Sequence, residues 1–174
     1  KEALQFAREA YETRVRTSGP EHPDTLWAAD GYGDKLWDDG QYEEALKFFR
    51  QIHPVAQRAL GKDHLTTLSI GHNIVLSLAR LNRNDEALDE ARKSYDAYVA
   101  ALGKDTPHVL RSADMLVQQL IVSNKLEDAE LLARDTFERS VRVSGITYPH
   151  TRVFAARLAR ILDKEGKPEE AARI

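Results

Sequence analysis

The chain has 174 residues, 42% of them hydrophobic, with 25 Lys and Arg against 28 Asp and Glu, which gives a formal charge of -3. This balance excludes the bulk basicity of a nonspecific nucleic-acid binder, and the lack of Cys excludes disulfides, thiolate zinc sites and cysteine nucleophiles. No apolar run approaches the roughly 20 residues of a membrane helix, and residues 1–9 are amphipathic rather than signal-like, so we expect a cytoplasmic protein without membrane contact.

A period of 42 residues organises the chain. Glycine recurs in this period at Gly19, Gly61, Gly103 and Gly145. Alanine recurs in the same period at residues 3, 45, 87, 129 and 171, and each of these alanines follows an acidic residue. Two further sets have this period, namely Gly40, Asn82, Asn124 and Gly166, and Leu36, Leu78, Leu120 and Leu162. Several ladders in one register indicate a repeat architecture.

Each unit predicts two helices. Residues 1–17 predict a second helix that lacks its partner. Residues 24–37 predict a first helix with Asp24 as the N-cap residue, and residues 42–60 predict a second helix stopped by Gly61. The same pattern recurs over residues 66–81, 85–102, 108–123 and 126–143, and residues 150–164 begin a unit that is cut short. Pro54 is expected to kink its helix near Arg50.

The residues of the first full unit carry a family resemblance. The tetratricopeptide pattern W-x2-L-G-x2-Y followed by A-x3-F is answered by Ala29-x2-Tyr32-Gly33-x2-Leu36 and by Ala45-x3-Phe49. The 42-residue period, the loop over residues 18–26 and the stretch over residues 41–46 resemble the kinesin-light-chain type of these repeats. Together with the helix pairs, the resemblance predicts an all-α, right-handed superhelical solenoid of antiparallel helix pairs.

The predicted domain organisation is a single tetratricopeptide-repeat domain over residues 1–174. It contains a truncated repeat with its loop, three repeats and a partial repeat, over residues 1–23, 24–65, 66–107, 108–149 and 150–174. Because the chain starts without Met and stops inside an amphipathic pattern, we expect it to be a piece of a longer chain. The apolar faces at its two ends, including parts of Leu4, Phe6, Leu158 and Ile161, are expected to be partly bare and open to self-association.

No constellation for catalysis or metal binding is apparent. His22 and His64 occupy equivalent loop positions one repeat apart, and His108 and His150 occupy another equivalent pair. Equivalent residues of neighbouring repeats lie about 10 Å apart, which is too far for two histidines to bind one metal ion. We therefore interpret these histidines as loop caps or hydrogen-bonding groups. Carboxylate pairs such as Glu43-Glu44 mostly stand where second helices begin, where they favour the helix dipole. We expect no enzyme, no cofactor and no metal.

The remaining candidate is a surface. In tetratricopeptide solenoids the first helix of each unit lines a concave groove. The groove positions predicted here are Trp27, Asp30, Asp34, Trp37, His72, Asn73, Leu76, Arg80, Arg111, Asp114, Gln118, Arg157, Arg160 and Lys164. Acid gathers at one end of this set and base at the other. A solvated charged face is the alternative reading, but exposed Trp beside graded charge favours a groove for a peptide of a protein partner.

The resemblance extends to individual groove residues. Asn73 matches a groove asparagine of the kinesin-light-chain type, which implies a hydrogen bond to a peptide backbone. The Lys and Asn pair that clamps a C-terminal carboxylate in chaperone-binding relatives would fall at Asp30 and Asp34, so a chaperone-tail adaptor is not expected. Two alternatives to a peptide-binding scaffold stay open. One is a sensor arm of a larger signalling ATPase or enzyme, and the weaker one is a nucleic-acid surface built on Arg134, Arg139, Arg142, Arg152, Arg157 and Arg160.

Overall fold

The computed structural model describes residues 2–174, and this part of the chain is built from helices without any strand. The helices are α1 (Glu2–Ser18), α2 (Pro23–Asp38), α3 (Tyr42–Leu60), α4 (Leu65–Arg80), α5 (Asn84–Leu102), α6 (Pro107–Val122), α7 (Leu126–Ser144), α8 (Pro149–Lys164) and α9 (Pro168–Ala171). The all-α, helix-pair prediction is confirmed. The chain divides into two compact units, Lys1–Glu90 and Ala91–Ile174, with the boundary inside α5.

The first helix of each pair begins one residue earlier than predicted. His22, rather than Asp24, is the N-cap residue of α2, and its Nδ1 accepts a hydrogen bond from the backbone N–H of Asp24 at 3.2 Å. His64 caps α4 in the same way, through the N–H of Thr66 at 3.2 Å. The interpretation of these two histidines as loop caps is therefore confirmed.

The turn inside each pair explains one of the sequence ladders. Gly40, Asn82, Asn124 and Gly166 have φ values of 81°, 57°, 55° and 73°, which is the left-handed region that ends many helices. The N–H of the next residue then reaches back to a leucine carbonyl, as from Gln41 to Leu36 at 2.9 Å. The Leu78, Leu120 and Leu162 carbonyls accept the equivalent bonds. The same backbone turn is thus made four times.

The core of the first unit lies between α2, α3 and α4, with α1 packed against α2. Leu26, Phe49, Ile70 and Leu78 are fully buried in it, together with Ala45 and Ala87 of the repeated alanine position. Gly33 of α2 lies against Phe49, where an added Cβ would come within 2.3 Å of the ring. Small residues at these positions allow the helices to approach closely.

The second unit packs α7 against both α6 and α8, and α9 against α8. Its buried residues include Ala129 and Ala133, the latter at a position where the first full unit carries an aromatic ring. Leu158 and Ile161 are also fully buried, so the predicted bare face on α8 is wrong. The short helix α9 supplies cover for α8 that the sequence pattern did not reveal.

Two further predictions concern α1 and α3. On α1 no residue is buried, and Phe6 is 69% exposed, so the predicted bare face at this end is present. Helix α3 runs as a single helix through Pro54, which costs one backbone hydrogen bond without ending the helix. Within residues 2–174, no helix combines the length and the apolar character required to cross a bilayer.

Candidate binding surfaces

An exposed stripe of α2 carries three of the predicted groove residues. Trp27, Asp30 and Asp34 follow at helical spacing, which places them on one face. Trp27 is 73% exposed, a large value for the largest apolar side chain, and Asp34 is also exposed. Asp30 is half-buried between them, so the stripe combines an open aromatic ring with two carboxylates of different accessibility.

The two carboxylates are tied to the next first helix by one amide. The Nδ2 of Asn73 on α4 donates to Asp30 Oδ1 at 3.0 Å and to Asp34 Oδ1 at 2.7 Å. Because an amide nitrogen has two hydrogens, both are used by these bonds. The side chain of Asn73 is buried, with 9% of its surface exposed. The structure therefore shows Asn73 as the residue that positions the two carboxylates, and its N–H groups are already engaged.

Burial changes the acidity of this group. Desolvation raises the pKa of Asp30 to about 6, and the nearby charge of Asp34 acts in the same direction. Hydrogen bonds from Ser69 and Asn73 to the carboxylate oppose this rise. Asp30 thus titrates near neutral pH, whereas an ordinary aspartate stays charged there.

Trp37 does not lie open as an aromatic anchor. Its half-buried ring packs edge-on against Tyr42, with ring centroids 5.5 Å apart, and the Arg80 guanidinium stands 5.1 Å from the Trp37 centroid. Arg80 is equally close to Tyr42, at 5.2 Å. Two more predicted groove residues are withdrawn from solvent, since His72 is buried and Leu76 is half-buried. The exposed aromatic of this face is Trp27.

In the second unit, the predicted groove residues form one ion pair and leave several cations exposed. Arg157 of α8 lies against Asp114 of α6, and its second contact, from Nη2 to Oδ2, measures 3.1 Å. Gln118 also donates to Asp114 Oδ2, at 3.1 Å. The exposed cations are Arg111, Arg160 and Lys164. Arg157 is therefore occupied by its carboxylate partner.

The arginines considered for nucleic acid mostly serve internal pairs. Arg134 pairs with Glu130 and Glu170, and the buried Arg139 pairs with Asp135 at 2.7 Å. Arg142 pairs with Asp105 at 3.1 Å, and Arg157 with Asp114. Four of these six arginines therefore have a carboxylate partner within the protein, whereas Arg152 and Arg160 are exposed.

The remaining histidines are not gathered around an ion. His108 stacks on Tyr98, with centroids 6.3 Å apart, and His150 lies beside Tyr148. Over residues 2–174, no group of three or more His, Cys, Asp and Glu side chains is placed to hold a metal.

The sequence predicted the exposed stripe of α2 but not the hydrogen bonds from Asn73 that position its two carboxylates. Asn73 stands 43 residues after Asp30, and Arg157 stands 43 residues after Asp114. In both pairs the donor follows the acid by 43 residues, which is one residue more than the repeat period. A search of the sequence for an acid and a donor at this distance could have revealed both pairs. Its basis is that neighbouring first helices contact each other through staggered positions.

The family model of the tetratricopeptide repeat matches residues 1–54 and 32–100, which together cover more than half of the chain. No curated protein shows significant sequence similarity to the chain. Among solved structures, the chain resembles the nearly identical TPR-like repeats of a Podosopora anserina kinesin light chain, with a TM-score of 0.84 and 19% identity over 99% of this chain and 82% of that one.

Two further solved structures have the same fold. BtubC from P. vanneervenii matches with a TM-score of 0.87 and 13% identity, over 99% of this chain and 68% of that one. MamA from Desulfovibrio magneticus RS-1 matches with a TM-score of 0.60 and 15% identity, over 99% of this chain and 91% of that one. At these identities the likeness concerns the fold.

Proposed function

Because the chain belongs to the tetratricopeptide repeat family, we propose that it is a non-catalytic, cytoplasmic scaffold that binds a peptide segment of a partner protein on the exposed stripe of α2. Repeat folds of this kind generally serve protein interaction, since stacked helices offer extended surfaces without a catalytic centre. The coarse role follows from the family, and the stripe of Trp27, Asp30 and Asp34 is our proposal for the site.

The observation that supports this proposal is the exposure of Trp27. The indole of Trp27 is 73% exposed, and tryptophan is enriched at interfaces because its ring is largely apolar while its N–H can donate a hydrogen bond. Tryptophan is also among the residues that contribute most to binding when an interface buries them. A partner that covers Trp27 would remove this apolar surface from water.

The carboxylates define the chemistry of the partner segment. Asp34 is exposed on α2 about two turns after Trp27, and Asn73 of α4 donates to both Asp30 and Asp34. A Lys or Arg side chain can place its charge either over the indole face of Trp27, as in cation–π pairs, or against the carboxylate of Asp34. We therefore propose a peptide with a basic residue next to an apolar one.

The proposal is tested with peptide arrays followed by affinity measurements on the best peptides. Trp27→Ala should weaken binding by about 2 kcal/mol, roughly 30-fold, because the main apolar contact is lost. Asp34→Lys should slow association and change its salt dependence. Phe6→Ala is the matched control, since Phe6 is a similarly exposed aromatic residue on α1. If Trp27→Ala and Asp34→Lys retain the wild-type peptide profile, this surface is not the binding site.

A further inference from the structure

A recessed cavity of about 230 Å³ lies within the second unit, apart from the α2 stripe. It is formed by the first turns of α6 and α8, the last turns of α7 and the loop before α8. Its volume corresponds to roughly eight waters, which is room for a compact organic group of the size of one large side chain.

One wall of the cavity is apolar. Leu110 and Phe154 line it and are both buried, and Val153 and Pro107 complete the apolar wall. The hydroxyl of Ser140 also lines the cavity, but it is paired with Thr151 at 2.6 Å. A ligand body without hydrogen-bonding groups can therefore lie against this apolar wall.

The charges of the lining favour an anion. Within the part of the chain that the structure describes, Arg111 makes no ion pair and no hydrogen bond, although its charge stands at the cavity. Asp114 is the carboxylate of the lining, and it is compensated by Arg157 and Gln118. The local balance at the cavity is therefore positive, and Arg111 is the cation available to a ligand.

We infer that this cavity binds a compact organic anion, with its apolar body between Leu110 and Phe154 and its carboxylate on Arg111. A purely inorganic anion would leave the apolar wall in contact with water, and a cation would meet the charge of Arg111. The same chemistry is found in a small aromatic or branched carboxylic acid and in the last residue of a peptide with a free C-terminus. The site is independent of the proposed peptide surface on α2.

The probes separate charge from apolar body. Phenylacetate carries both, phenylacetamide carries the body without the charge, and acetate carries the charge alone. Binding to the full chain is followed by NMR chemical-shift titration. Phenylacetate should bind at least about tenfold more tightly than either of the other two, because a charged hydrogen bond and the apolar contact act together.

The variants identify the site. Arg111→Gln should weaken phenylacetate binding about tenfold or more, since the charged partner is removed. Val153→Trp should abolish binding by filling the mouth of the cavity, because Val153 is a half-exposed lining residue whose replacement leaves the core intact. Arg152→Gln is the control, as it removes the same charge from an exposed position of α8 outside the lining.

A second arm distinguishes the source of the carboxylate. A tripeptide ending in Phe with a free carboxylate is compared with its amidated form. Binding of the free tripeptide but not of phenylacetate assigns the cavity to a peptide terminus, whereas binding of phenylacetate assigns it to small acids. Equal binding of phenylacetate and phenylacetamide, an unchanged affinity in Arg111→Gln, or no binding of either carboxylate at millimolar concentration would overturn the inference.

Discussion

The amide of Asn73 donates to the half-buried carboxylate of Asp30 across 43 residues of sequence. The offset exceeds the repeat period by one residue because the two side chains meet between consecutive first helices. Arg157 and Asp114 repeat this arrangement with a charged donor in place of the amide. The same position of the fold thus links successive repeats by a polar pair in both units.

Asn73→Ala should destabilise the first unit by about 1 to 3 kcal/mol, since it removes one of the two side-chain donors to the half-buried carboxylate of Asp30 and the donor to Asp34. Urea unfolding at pH 7.5 measures the loss. Gln57→Ala on the exposed side of α3 is the control, and we expect it to change the free energy of unfolding by less than about 0.5 kcal/mol. An Asn73→Ala protein as stable as the wild type would contradict the positioning role.

Asp30 makes the stability of the first unit dependent on pH. Its pKa is about 6 in the folded protein, above the ordinary value of 3.8, so the folded state binds the proton more tightly than the unfolded state. The contribution of this group to stability is therefore complete below about pH 4 and is lost as the pH rises through about 6. The total change is about 2 to 3 kcal/mol.

The check is the difference in unfolding free energy between the wild type and Asp30→Asn at pH 4.5 and at pH 7.5. This difference should shift in favour of the variant as the pH rises, because only the wild type has to ionise a half-buried carboxylate. The comparison cancels the titration of other groups, such as Glu86, whose pKa is lowered to about 2 by hydrogen bonds from Arg83 and Arg50. A constant difference would show that Asp30 titrates normally.

The Asp114 and Arg157 pair is open to a double-mutant cycle. Its side chains are 15% and 20% exposed, so Arg157→Gln should cost about 2 to 3 kcal/mol by leaving a mostly buried carboxylate unpaired. Adding Asp114→Asn should recover at least half of the loss, because the uncompensated charge is then gone. Thermal unfolding of the three variants measures the coupling. Additive losses would show that the two side chains do not interact.

Two glycines of α2 provide a matched pair. Gly33→Ala should destabilise the first unit by more than about 2 kcal/mol, because the new Cβ would lie 2.3 Å from the ring of the buried Phe49. Gly31→Ala meets no atom within 4 Å and should stabilise the protein by up to about 1 kcal/mol through helix propensity. Opposite signs in chemical unfolding are expected, and equal effects would place Phe49 elsewhere.

The left-handed turn residues give a backbone test. Asn82→Gly should leave stability unchanged or raise it by about 0.5 kcal/mol, because glycine adopts a positive φ without strain. Asn82→Ala should lower stability by about 1 kcal/mol, because the Cβ of alanine is strained at this positive φ. The same order is expected at Asn124, and melting temperatures are sufficient to establish it. An alanine variant as stable as the glycine variant would argue against the left-handed turn.

The helices of this protein were predictable because their signals are local. Apolar spacing located α1 to α8 to within about a turn, although it did not reveal α9, and the period placed Gly40 and Asn82 at equivalent turns. The N-cap was misplaced at Asp24 because proline can occupy the first turn of a helix, which moves the cap back to His22. The prediction of a single domain over residues 1–174 stays a prediction.

The candidate surface was predictable only in part. Periodicity along α2 put Trp27 and Asp34 on one exposed face, and both are exposed. Periodicity did not show that Trp37 packs against Tyr42 with Arg80 over its ring or that α9 packs on α8, since these contacts depend on which side chains from other segments reach the same place.

The sequence by itself determined the all-helical repeat, its turns and its small-residue positions, because each of these depends on backbone conformation and on spacing within one helix. Tertiary structure alone decided which polar side chains are left for a partner. Asn73 and Arg157 each donate to a carboxylate 43 residues earlier, on the preceding first helix, whereas Arg111 stays exposed. A contact between two helices cannot be predicted from the periodicity of either helix alone, because it depends on how the two helices pack.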